Sequence, residues 1–281
     1  MRDIQNKGDA KLSVPLVLLR TDRLPYLEEL QKGKLFMLTS MHYQNMETQD
    51  MARKDFLDGS IPDSGKYLKI TPPPEVGPIQ NPRFTEANCY IKCFHQYMPS
   101  DLQQIDQRTV ACRFSDETCR SIQAFGNDYA MIVLGPQFVQ QFENACKQNG
   151  LTHGYGSVCY MTEEQYEKYE KALIQGIHDR MLGKPYSVPQ PRPALCKPAF
   201  FGSQQEFRFY LFHQSQAYQQ IAGKTPVLIP NKEDVSKLID QPYTLSVGSL
   251  EEISMIIPTD TLLKNSVYIH LLNDGKIQIS I

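Results

Sequence analysis

The apolar stretches of this chain are all short. VPLVLL at 14–19, LFMLTS at 35–40, FGNDYAMIVLG at 125–135 and VYIHLL at 267–272 have the length of strands. None approaches the ~18 apolar residues that a membrane-spanning helix needs. Short apolar runs bounded by turn residues favour a sheet protein. Helical periodicity is confined to a few segments. In PQFVQQFENACKQNG (136–150), Phe138, Phe142 and Ala145 fall on one face, Pro136 opens the helix and Gly150 closes it. In TEEQYEKYEKALIQGIHDRMLG (162–183), Thr162 and Gln165 form a reciprocal cap and Gly183 ends the run.

The N-terminal portion reads as strand (12–20), short helix (LPYLEELQKGK) and strand (35–40) with tight connections. Pro25 suits a first helical turn and Gly33 a C-terminal cap. NCYIKCFHQY (88–97) and GYGSVCYM (154–161) are further strands, and PSDLQQIDQ offers a Ser100 cap and a helical turn. EFRFYLF (206–212) alternates charged with aromatic residues, as a half-buried strand does. After residue 225 the chain is strand-rich: TPVLIP, YTLSV, EISMIIP, VYIHLL and KIQISI, with Asn273-Asp274-Gly275 as a hairpin turn. The expected fold is α+β, with mixed, largely antiparallel sheets, several helices and a β-rich C-terminal portion. We expect a single domain over 1–281, with 225–281 as a candidate β-rich subdomain. Proline clusters at 71–83 and 185–193 read as surface loops.

Composition narrows the function. The formal charge of −2 gives no global basic field for nucleic acid or anionic membrane. The first residues, MRDIQNKGDAK, lack the apolar run of a signal peptide. Seven cysteines, an odd number, fit reduced thiols, so the expected location is the cytoplasm, with no membrane contact. Cys89, Cys93 and His95 would share one face of a strand, but C-x3-C-x-H matches no strong zinc motif and lacks a fourth ligand. No metal is expected. No P-loop, dinucleotide-binding glycine motif, H-E-x-x-H or G-x-S-x-G is present.

The remaining candidate is KPAFFGSQQEFRFYLF (197–212). Gln204-x-Glu206 at the mouth of a strand resembles the glutamine-x-glutamate turn of the ADP-ribosyltransferases. That resemblance implies NAD as cofactor and Glu206 as the catalytic carboxylate, opposing the positive charge that builds on the ribose. It implies Gln204 as the acceptor-side residue. Thr39 and Ser40 would stand for the polar strand motif, and Arg20 for the arginine that contacts NAD. Arg53 joins them as a cofactor-binding candidate, and the acceptor would be protein or nucleic acid. A broader likeness is to uncharacterised bacterial and phage proteins. They share L-x-F-x-x-S, R-x-D-x-x-[DE]-G and Q-x-E-[FY]-R segments, carried here by Ser40, with Phe36 one place early for the first, and by Arg53, Asp55, Asp58, Gly59, Gln204, Glu206, Phe207 and Arg208. It implies a setting in antiviral defence or counter-defence.

Two other readings compete. A non-enzymatic inhibitor or sensor would use the proline-rich loops and the C-terminal strands to bind a defence-system protein. A nuclease would need Asp55, Glu206 and Lys197 to converge. In the bland alternative, Glu206 and Arg208 pair on the solvated face of a strand.

Overall fold

In the computed structural model, residues 14–45, 60–62, 83–85, 89–185, 189–213 and 241–281 are described. The chain begins with β1 (Val17–Asp22), α1 (Leu24–Gln31), β2 (Lys34–Thr39) and α2 (Ser40–Asn45). Two short strands follow, β3 (Ser60–Pro62) and β4 (Arg83–Thr85). Next come β5 (Cys89–Gln96), β6 (Leu102–Gln104), β7 (Thr109–Cys112), α3 (Asp116–Ala124), β8 (Tyr129–Leu134) and α4 (Gly135–Gln148). Then β9 (Thr152–Ser157), β10 (Cys159–Met161), α5 (Glu163–Met181), β11 (Cys196–Pro198) and β12 (Glu206–Phe212). The last elements are β13 (Tyr243–Ser246), β14 (Ser254–Pro258), α6 (Thr259–Lys264), β15 (Val267–Leu271) and β16 (Ile277–Ser280). The fold is α+β.

The main sheet runs β13-β2-β5-β1-β8-β14, with β12 and then β9 added on the other edge of β5. All of its pairings are antiparallel. A smaller sheet runs β16-β15-β7-β6. The C-terminal strands are dispersed: β13 extends one end of the main sheet, β14 the other, and β15 pairs with β7.

Side-chain alternation sends β5 and β12 to two different environments. Phe94, Phe207 and Phe209 point to one face, where the apolar stripe of α4 (Phe138, Val139, Phe142) covers them. The rings meet edge-on, with centroids 5.2 Å apart for Phe94–Phe138 and 4.9 Å for Phe142–Phe209. On the opposite face, Val17, Leu19, Ala130 and Ile132 of the main sheet share a core with Cys112, Val267 and Ile269 of the smaller sheet.

Local chemistry accounts for the element ends. Pro25 lies in the first turn of α1, and Gly33 takes φ of 92° after it. The Thr162 amide donates to Gln165 Oε1 (2.8 Å) and the Gln165 amide to Thr162 Oγ1 (3.4 Å), the reciprocal cap read from the sequence. Gly275 takes φ of 80° in the last hairpin, where the Leu272 amide donates to the Lys276 carbonyl (2.8 Å).

Three expectations are corrected. Residues 154–161 form two strands: β9 pairs with β12, whereas β10 pairs with β11. Residues 99–101 make one 3-10 turn in which Asp101, not Ser100, caps the Met98 amide, and the chain then pairs as β6 against β7. β1 runs to Asp22, so Arg20 lies within the strand. The proline-rich segment before Arg83, the TPVLIP segment, and Arg53 with Asp55, Asp58 and Gly59 lie outside the described residues.

Candidate functional site

The site begins at a split in the main sheet. One edge of β5 is shared by two strands: β2 pairs with Tyr90 and Ile91, and β1 with His95 and Gln96. Between these registers β1 and β2 part, and the gap falls at positions 92–94. Arg20 spans it. Its Nη1 donates to the Cys93 carbonyl (3.2 Å), where a neighbouring strand would otherwise donate, and its Nη2 pairs with Asp22 (3.0 Å).

A cleft of about 570 Å³ opens at this split. Arg20, Asp22 and Arg23 line it from β1 and its following turn, and Leu38 and Tyr43 from β2 and α2. Cys93 and His95 form part of its floor, the loop Phe125–Asp128 one wall, and Lys197 and Glu206 another. The volume falls within the roughly 300–1,000 Å³ typical of small-molecule sites.

Glu206 enters this cleft through its register. It is the first residue of β12 and pairs with His95, so both side chains stand on the cleft face. Gln205, just before it, holds φ of 45° and ψ of 55°. That left-handed conformation is costly for a non-glycine residue, on the order of 1–2 kcal/mol. It turns the chain sharply from the 3-10 segment Ala199–Gln204 into β12.

The carboxylate is buried between two cations. Lys197 Nζ lies 3.0 Å from Oε1, and Arg208 Nε and Nη2 lie 2.9 and 2.8 Å from Oε2. Burial alone would raise the Glu206 carboxyl, but Lys197 and Arg208 overcome it and hold the group far below its ordinary value. Gln204 is also buried and reaches the triad through Lys197 Nζ, 2.6 Å from its Oε1. Arg208, wholly buried, donates from Nη1 to the Ala194 carbonyl (3.1 Å). The Tyr160 hydroxyl accepts from the Glu206 amide (2.8 Å), and burial followed by the Glu206 charge pushes that phenol far up.

Two expectations change here. Glu206 and Arg208 form an ion pair, but it is buried, not solvated, because Lys197 and the 3-10 turn Pro193–Leu195 pack over that face of β12. Pro193, the last residue of the second proline cluster, is buried and not on a surface loop, as are Ala194 and Leu195 after it.

The other candidates are distributed unevenly. Arg20 lines the cleft with Glu206. Thr39 and Ser40 do not line it; both are buried where β2 passes into α2, and Thr39 Oγ1 accepts from the His42 amide (3.1 Å). The sequence reading placed Lys197 with Glu206 only in its nuclease alternative, and missed His95 and the Phe125–Asp128 wall as parts of the site. The 125–128 loop follows α3, whose Ser115 cap and acidic first turn were readable.

Cys89, Cys93 and His95 do occupy one face of β5 by period, yet among the described residues no cluster of three His, Cys, Asp or Glu is placed to hold a metal. Among the same residues no helix is long and apolar enough to cross a membrane. No family model, curated protein or solved structure matches the chain.

Proposed function

We propose that the chain is an NAD-using, ADP-ribosyltransferase-like effector whose acceptor is a protein or nucleic acid. One observation carries the reading: Arg20 and Glu206, far apart in sequence, line a single cleft at the split between β1 and β2. Glu206 would oppose the positive charge that develops on the ribose as its glycosidic bond breaks. Arg20, Arg23 and Lys197 would receive phosphates, and the rings of Phe125 and Tyr43 offer surfaces for a base. The strained Gln205 supports the reading, since such strain gathers at functional sites. A bacterial or phage origin and a role in defence or counter-defence belong to this reading through the sequence likeness alone.

The test is NAD consumption by the purified protein, with cellular protein, nucleic acid and water offered as acceptors. Glu206→Gln keeps the shape and removes the charge. We expect it to lower turnover by about 100-fold or more, the cost of losing a charge-stabilising group, with the near-UV spectrum unchanged. Absence of turnover by the wild-type protein with every acceptor would overturn the proposal.

A second reading has its own support. Both Glu206 oxygens are already engaged by cations, and Phe200, on the turn leading to Gln204, is 81% exposed. A non-enzymatic interaction protein would use the triad as internal bracing and Phe200 as an anchor for its partner. In that case Phe200→Asp would abolish partner binding, and NAD would be left intact.

A further inference from the structure

The cleft contains a base that the Gln-x-Glu motif does not supply. Glu206 is poorly suited to take a proton, because Lys197 and Arg208 occupy both of its oxygens. His95 stands beside it on β5, buried but lining the cleft. Its Nδ1 lies 2.8 Å from the Gln204 carbonyl oxygen. A carbonyl oxygen only accepts, so Nδ1 carries the hydrogen, and the neutral ring presents the lone pair of Nε2. The Phe125 ring meets the imidazole edge-on at 5.5 Å between centroids and fixes its plane from the other side.

The Gln204 carbonyl belongs to the same turn as the strained Gln205. That turn therefore does two things: it delivers Glu206 to the head of β12, and it aims at His95 the carbonyl that selects its tautomer. This is the arrangement of a base oriented by a third group.

We propose that His95 Nε2 is the general base of the cleft, taking the proton from the acceptor nucleophile, with the Gln204 carbonyl as its positioning group. The proposal rests on the NAD-using reading of the same cleft. As the acceptor O–H or N–H attacks the ribose anomeric carbon, its proton passes to Nε2. The bond from that carbon to nicotinamide breaks, and its electron pair leaves with the ring nitrogen and cancels that ring's positive charge. The imidazolium that forms is flanked by the Glu206 carboxylate and the Gln204 carbonyl, and faced by the cations Arg20 and Lys197. Asp128 lines the cleft from the loop that carries Phe125. Burial, reinforced by Arg20 and Lys197, outweighs Gln204 and Glu206 and holds the free imidazole below its ordinary value. The ring is therefore neutral and ready to accept at neutral pH.

The experiment has two readouts. The first is nitrogen-15 NMR of the histidines in the folded protein without ligand, with His95 assigned by its loss in His95→Asn. The expected result is a neutral ring at pH 7 protonated on Nδ1. A ring protonated on Nε2, or charged at pH 7, would overturn the inference whether or not NAD is consumed. The second is the pH profile of NAD cleavage for wild type, His95→Asn and His95→Gln. Asn can keep the donation to the Gln204 carbonyl but has no base, and Gln serves as a check should the Asn variant fold poorly.

Both variants should lose about 100-fold or more in kcat, within the range of a general base, with little change in KM. The acid limb of the wild-type profile should disappear. Full cleavage with the acid limb intact in either folded variant would overturn His95 as the base and leave the NAD reading standing. Absence of cleavage by the wild type would overturn both.

Discussion

At the scale of single residues, the Lys197–Glu206–Arg208 triad is both a candidate site and a structural risk. Removing one member of a buried ion pair leaves the others uncompensated, at a cost of about 3–5 kcal/mol. Glu206→Ala should therefore lower the unfolding free energy by that amount in urea titration, and Glu206→Gln by less, because the amide oxygen still accepts a hydrogen bond. Three groups lower stability toward acid pH. Glu206 is held below its ordinary 4.5, so its contribution is present above that pH and is lost as pH falls below it. His95 is lowered from 6.5, so the folded state resists its protonation and stability also falls as pH drops through 6.5. Lys92, opposite Phe209 on β5, is lowered from 10.5 to about 7, first by burial and then by Arg20. Its burial penalty is present below pH 7 and is relieved as pH rises toward 10.5. Thermal melts should thus rise from acid to neutral pH and fall again above about pH 9, where burial holds the Cys112 and Cys146 thiols up to about 12 while the unfolded chain ionises. Lys92→Met should raise the melting temperature at and below neutrality and converge on wild type in alkali.

At the scale of elements, the turn between α1 and β2 shows how local conformation sets sheet position. Gly33 takes positive φ, and a Cβ there would meet the Gly248 carbonyl. The Gly33 carbonyl accepts from the Val247 amide (2.9 Å), which holds β13 against β2. Gly33→Ala combines left-handed strain with a backbone clash. It should cost more than the roughly 1 kcal/mol typical of a point substitution, with faster amide exchange in β13 than elsewhere. Elements of this kind were legible in the sequence. Pro25 and Gly33 mark the ends of α1, Thr162 and Gln165 the start of α5, and Asn273-Asp274-Gly275 the last hairpin. The splitting of 154–161 was not, because its residues read as one run; only their different partners, β12 and β11, divide them. Arg20 and Glu206 were nameable from local pattern, whereas His95, with no motif of its own, became a site residue only by standing opposite Glu206.

At the scale of the whole molecule, the two larger sheets share one apolar cluster, from Leu19 and Ile132 on one side to Val267 and Ile269 on the other. Neither sheet buries that face alone. Their unfolding should be a single transition, with near-UV and far-UV circular dichroism coinciding in urea; separated midpoints would mean that the sheets melt independently. The α+β class, helices α1, α4 and α5 and most strands were legible in the residue order, because periodicity, caps and turn residues act over a few neighbouring positions. Which charges leave water depended on long-range packing. Glu206-x-Arg208 has the pattern of a solvated strand face, yet β5, β9 and the 193–204 turns enclose it. Burial is set by partners distant along the chain. Once water is excluded, a carboxylate must find cations and a histidine must settle on one tautomer.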